Sequence, residues 1–294
     1  MTPDSAASPR KSAVPFRGRA DEVLVTAAQL LTATELPVLL DVRWALGDDR
    51  GREKYLAGHL PGAVYVDLET ELADPPDPAR GRHPLPSLQR LQSMVRRWGV
   101  RSHRPVVAYD DSGGLAAARA WWLLRWGGLT DVRLLDGGLG AWGRAGGGLE
   151  TGDVVPPTGD VVLTGGGLPV VDADTAAALP GRGGVLLDAR AAERYRGEVE
   201  PVDPRAGHVP GATSAPTTGN LGGDGTFLPR EELAERFAAL GVRPGADVGV
   251  YCGSGVTAAH QVAALTAAGI EAALWPGSWS QWSADPDRPV ATGG

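Results

Sequence analysis

Short apolar runs alternate with longer stretches whose apolar residues recur every three or four positions, and that alternation holds along most of the chain. Val38-Leu39-Leu40-Asp41 reads as a buried strand, preceded by a helix over residues 26–35. A turn at residues 58–62 leads to a strand at 63–66. Leu88, Leu91, Val95 and Trp98 then mark one face of a helix that runs into a strand over Val106–Tyr109. A helix through Trp121 and Trp126 and a strand over Val132–Leu135 follow. In the second half, Leu233, Phe237 and Leu240 mark a helix before a strand at residues 246–251. A further helix over 256–268 is rich in alanine and carries Val262 and Leu265. Strands alternating with helices predict parallel sheets covered by helices on both faces, an α/β fold.

The pattern occurs twice. Val38-Leu39-Leu40-Asp41-Val42-Arg43 returns as Val185-Leu186-Leu187-Asp188-Ala189-Arg190. Gly58-His59-Leu60-Pro61-Gly62-Ala63 returns as Gly207-His208-Val209-Pro210-Gly211-Ala212. Tyr109-Asp110-Asp111-Ser112-Gly113 matches Tyr251-Cys252-Gly253-Ser254-Gly255, and Asp136-Gly137-Gly138 with Trp142 matches Pro276-Gly277-Ser278 with Trp282. Four matches in one order imply a duplicated domain. The organisation expected is a flexible tail over residues 1–20, a first domain over 21–143, a linker rich in Gly, Pro and Thr over 144–169, and a second domain over 170–290.

The halves differ where it matters chemically. Cys252 is the only cysteine in 294 residues, and it lies where a strand turns into a helix. Backbone N–H groups of Gly253, Gly255, Val256 and Thr257, with the positive end of the helix dipole, would stabilise a thiolate there. Such a thiolate is a usable nucleophile, although free cysteines elsewhere are mostly inert small hydrophobes. Ser254 and Thr257 add hydroxyls to the loop. The first half has Asp110 and Asp111 at the matching positions, so only the second half can do thiol chemistry, and the first half would cover the site.

Composition narrows the field. A hydrophobic content of 43% supports packed cores, and a net charge of −7 argues against nucleic acid as a partner. Charged or polar residues interrupt every apolar run before it reaches the length of a membrane span. The first twenty residues lack the apolar stretch of a signal peptide, and one cysteine can form neither an internal disulfide nor a cysteine-cluster metal site. A cytoplasmic protein without cofactor or metal is expected. Phosphatases on related folds need an arginine six positions after the cysteine, and Ala258 stands there.

With Asp-Val-Arg and Asp-Ala-Arg, the doubled Gly-His-x-Pro-Gly-Ala, Glu193-Arg194-Tyr195-Arg196-Gly197 and the cysteine loop together, the chain resembles a tandem-domain sulfurtransferase of the rhodanese family. The resemblance covers about residues 20–290. The loop Cys252-Gly253-Ser254-Gly255-Val256-Thr257 is similar to that of 3-mercaptopyruvate sulfurtransferases, whereas thiosulfate-preferring members have basic residues after the cysteine. The resemblance implies two rhodanese-like domains and a persulfide on Cys252. Sulfur would come from a small anionic donor, 3-mercaptopyruvate ahead of thiosulfate, and pass to cyanide, a thiol or a thioredoxin-like acceptor. It implies donor anchoring by Arg194, with Arg205 as a second anchor, and a relay of His59, Asp48 or Asp49, and Ser254. A non-catalytic rhodanese-like binding protein is the distant alternative. Arg43 and Arg190 recur in both halves, which favours structural ion pairs. His208 is expected to bond its loop backbone, and the nine tryptophans to fill core and domain interface.

Overall fold

The computed structural model describes residues 23–294, so the tail expected over residues 1–20 lies outside the described residues. The first sheet contains β1 (Leu24–Val25), β2 (Val38–Asp41), β3 (Val64–Tyr65), β4 (Val106–Tyr109) and β5 (Val132–Leu135), in the order β1-β5-β4-β2-β3. The second contains β6 (Val185–Asp188), β7 (Thr213–Ser214), β8 (Val248–Tyr251) and β9 (Ala273–Leu274), in the order β7-β6-β8-β9. All pairs are parallel. A parallel bridge from Val170 to Leu274 sits where β1 sits in the first sheet, so both sheets follow one plan.

The central strands β2, β4, β5 and β8 are buried along their whole length, as strands covered on both faces must be. Register aligns the two halves residue for residue: Asp41 pairs with Tyr109 across β2 and β4, and Asp188 with Tyr251 across β6 and β8. Each aspartate is buried and bound by its own strand-end arginine, Arg43 at 2.7 Å and Arg190 at 2.6 Å. The twin arginines are therefore structural ion pairs. The helix expected over 26–35 is shorter, Ala27–Leu31. Thr26 and Gln29 close its start as a capping box, and Pro37 disfavours helical backbone in the residue before it.

The domains share one continuous core. Helix Ala117–Trp126 of the first packs on helix Thr257–Ala267 of the second, with Ala117, Ala118 and Ala120 facing a neighbourhood of Ala258, Ala259 and Ala263, all fully buried. Small side chains let the helix backbones approach closely, which brings Trp44, Arg82 and Leu115 of the first domain to the cavity beyond the end of β8. The segment between the domains runs back along the first one, where Arg96 holds the Val161 oxygen and the Gly167 N–H donates to Trp126. Trp98, Trp121, Trp122, Trp275 and Trp279 are fully buried fillers, while Trp44 instead lines a cavity.

Candidate active site

Strand β8 ends at Tyr251, Cys252 follows it directly, and the helix begins at Thr257 with no side chain capping it. Gly255 has φ +78°, and a Cβ there would lie 2.5 Å from the Pro276 oxygen, so the turn admits only glycine. The loop is stitched to the segment that follows β9. Trp279 and Ser280 donate to the oxygens of Cys252 and Gly253, and the Cys252 N–H donates to Ser278 Oγ at 3.1 Å. Ser278 is the one non-glycine residue with positive φ among the described residues, and its buried hydroxyl also bonds the Trp275 oxygen. Cys252 Sγ accepts the Gly255 N–H at 3.1 Å. Cys252 is only 2% exposed, yet it lines a cavity of about 250 Å³ whose walls include Trp44 and Arg82 of the first domain and Ser254, Arg194 and Thr257 of the second.

The matching loop of the first domain shows what this backbone is shaped to hold. Asp110 occupies the cysteine position, fully buried. Its carboxylate accepts N–H groups from Ser112, Gly114, Ala116 and Ala117 at 2.8–2.9 Å. A loop of this course thus solvates a buried anion entirely with main-chain donors.

Ser254 has a partner that the sequence reading placed elsewhere. His83 Nδ1 lies 2.6 Å from Ser254 Oγ, and His83 Nε2 lies 3.0 Å from Glu69 Oε2. Trp44 donates to the other Glu69 oxygen at 2.7 Å and sets its ring edge-on to the imidazole. Burial pushes the His83 pKa below the usual range, against the opposing pull of Glu69. The imidazole is therefore neutral near pH 7, with the Glu69 carboxylate fixing the proton on Nε2 and leaving Nδ1 to accept the serine hydroxyl.

His59, expected in that relay, is turned away from it. Its Nδ1 bonds the Tyr55 oxygen at 2.9 Å and its ring stacks on Tyr55 at 4.1 Å. His208 repeats the arrangement on Tyr195, so both histidines fasten their own loops. Asp48 pairs with Arg50 and Lys54, which pull its carboxyl far below the usual range, and it does not reach His59. A signal for His83 was present. Leu85-Pro86 repeats as Leu228-Pro229, but Arg82 and His83 stand opposite Gly225 and Thr226, so the repeat breaks at the residues that reach the second domain.

Cations converge on the loop from both domains. A Cβ at Gly253 would meet Arg82 Nη2 at 3.3 Å and Arg194 Nη1 at 3.4 Å, so Arg82 is a cation beside the cysteine that the loop sequence alone does not disclose. Arg194 is bound by Glu200 at 2.6 Å and Asp203 at 3.1 Å while still facing the cavity. Arg205 does not face it. Its guanidinium holds the oxygens of Trp282, Ser283, Asp285 and Arg288, clamping the carboxyl end of helix Ser278–Ala284, where the dipole favours a cation. Arg119, from the first domain and fully buried, donates to the oxygens of Leu72, His83 and Gly255. It has no carboxylate partner among the described residues.

Known proteins share this architecture. A family model described as the rhodanese-like domain matches residues 25–145 and again 172–285. A Mycobacterium tuberculosis protein provisionally named thiosulfate sulfurtransferase SseB is 52% identical, over 92% of this chain and 98% of its own length. A Pseudomonas aeruginosa protein provisionally named 3-mercaptopyruvate sulfurtransferase is 49% identical, over 92% of this chain and all of its own. The crystal structure of SseA from Escherichia coli, a 3-mercaptopyruvate sulfotransferase, superposes with a TM-score of 0.77 at 34% identity, covering 88% of this chain and 99% of that one. No helix among the described residues is long and apolar enough to cross a membrane.

Proposed function

The chain belongs to the rhodanese family of sulfurtransferases, and on that footing we propose an enzyme that draws sulfur from 3-mercaptopyruvate onto Cys252 as a persulfide. The observation that carries this reading is Cys252 Sγ seated on the Gly255 N–H, at the uncapped start of a helix, in a loop whose twin solvates the Asp110 carboxylate. A thiolate, and then a persulfide anion, matches the kind of charge such a loop accommodates.

In the first half-reaction the Cys252 thiolate attacks the donor's sulfur, the S–S bond forms as the donor's C–S bond breaks, and the electron pair leaves as the enolate of pyruvate. Ser254, backed by neutral His83 and Glu69, accepts the proton lost from the thiol, holds it on the imidazole opposite Glu69, and returns it to the enolate carbon. Arg194 and Arg82 face the donor carboxylate. In the second half-reaction a thiophilic acceptor (cyanide, a thiol or a thioredoxin-like protein) takes the outer sulfur and restores the thiolate. Splitting one transfer into two displacements is the gain of covalent catalysis. With thiosulfate the same attack would release sulfite, which needs no proton, so Ser254–His83–Glu69 favours the mercaptopyruvate reading. A free thiol nucleophile suits a reducing compartment, the cytoplasm in this proposal.

The test is thiocyanate formation from cyanide with each donor. Wild-type protein should turn over 3-mercaptopyruvate with the higher kcat/KM, and folded Cys252→Ser should turn over neither donor. Turnover by the purified serine variant would overturn the mechanism.

A further inference from the structure

Six charged side chains form one alternating chain, and its three arginines line the cavity. Asp188 meets Arg190 at 2.6 Å, Arg190 meets Glu200 at 3.4 Å, and Glu200 meets Arg194 at 2.6 Å. Arg194 then meets Asp203 at 3.1 Å, and Asp203 meets Arg82 at 2.6 Å. Three arginines answer three carboxylates, so the row carries no net charge. The Asp203 side chain, only 3% exposed, sits between the last two arginines. One of its oxygens holds Arg82 of the first domain and the other holds Arg194 of the second, the two guanidiniums that flank Gly253.

We infer that Asp203 is a specificity-determining residue that sets the charge of the donor the site accepts. The inference rests on the sulfurtransferase reading. Arg82 and Arg194 together would suit a dianion, but a resident carboxylate already spans them. A donor then finds free guanidinium N–H groups to bond with and little uncompensated charge to bind to. Coulomb energy scales with the product of the charges, so Asp203 disfavours a dianion twice as strongly, in free energy, as a monoanion at the same place. Thiosulfate is a dianion, while mercaptopyruvate offers one carboxylate. The preference would thus reside in a carboxylate outside the cysteine loop, with that loop free of charge altogether.

The experiment is the donor ratio in Asp203→Asn, made in the full chain, with cyanide as acceptor. The ratio of thiosulfate to mercaptopyruvate kcat/KM should rise about tenfold at low salt, and the gain should shrink as salt screens it. Asp203→Glu should keep the wild-type ratio. Because Asp203 is buried, Arg82→Gln supplies a second variant of opposite sign, in which thiosulfate use falls more than mercaptopyruvate use. A readout that needs no turnover is protection of Cys252 from iodoacetamide. Sulfate should gain about tenfold more protective strength than pyruvate in Asp203→Asn. A donor ratio and a protection ratio both unchanged in Asp203→Asn would overturn the inference. Failure of either donor to transfer sulfur in wild-type protein would instead overturn the sulfurtransferase reading, with the protection ratio still deciding the role of Asp203.

Discussion

Arg119, on a helix of the first domain, donates at 3.2 Å to the main-chain oxygen of Gly255, the residue whose N–H reaches Sγ of Cys252. The half of the molecule without a cysteine thus holds the loop of the half that has one. Burial pushes the guanidinium pKa down to about 10, and the charge that opposes this is Cys252 itself. A buried cation answered only by carbonyl oxygens thus stands beside Cys252, where it favours the negative charge that a reacting sulfur carries.

Arg119→Met should therefore slow alkylation of Cys252 by iodoacetamide by about tenfold or more near neutral pH. Methionine fills much of the same space without a charge; the oxygens of Leu72, His83 and Gly255 lose a donor, so the melting temperature should fall and alkylation is compared on protein shown to be folded. An unchanged alkylation profile would reduce Arg119 to a packing role.

Ser254→Ala and His83→Gln should each lower kcat for 3-mercaptopyruvate by ~10²-fold or more, the usual worth of a positioned proton-transfer group. Thiosulfate turnover should change far less, because sulfite leaves without a proton. His59→Gln should affect stability and leave the donor difference alone. Parallel losses for both donors in Ser254→Ala would contradict the relay.

Arg194, on the short helix Ala192–Arg196, and Arg205, in the segment after it, should behave differently. Arg194→Ala should cost ~2–4 kcal/mol in kcat/KM for the donor, since its guanidinium faces the cavity. Arg205→Ala should instead lower stability by about 2–4 kcal/mol, through four carbonyl oxygens left without their donor. Thermal melting and kinetics on both variants separate the two roles.

Acid should weaken the domain interface. His260 is fully buried between Thr217 and the Gly113 oxygen, and burial lowers its pKa from 6.5 to about 4. The unfolded chain then binds the extra proton between those values, so stability present above pH 6.5 is lost as pH falls toward 4, by about 3 kcal/mol in total. His83, lowered in the same direction, adds to the trend. Denaturant midpoints across this range should fall with pH, and His260→Gln should flatten the slope.

Periodicity and the repeat made the fold, and the place of Cys252 between a strand and a helix, readable from residues alone, because these features are local. Relations across the domain interface were not readable. Ser254 and His83 are 171 positions apart and Arg82 and Asp203 are 121 apart, and no spacing rule links such pairs. His59 entered the expected relay through the family resemblance, yet its motif recurs at His208 with the same loop-fastening bonds, which marks a structural role. The informative positions were those where the repeat fails, Arg82 and His83 among them. Arg205 was expected at the donor for a related reason: the resemblance implied a second arginine downstream, and only the fold reveals the carbonyl oxygens it holds.

The central claim, that Cys252 carries the transferred sulfur, is tested most directly by intact mass. Protein incubated with 3-mercaptopyruvate and freed of donor should gain the mass of one sulfur atom, mapped to the peptide containing Cys252, and lose it on addition of cyanide. Cys252→Ser should gain nothing. A wild-type protein that turns over donor and acceptor yet never acquires that mass on Cys252, or acquires it elsewhere, would contradict the account.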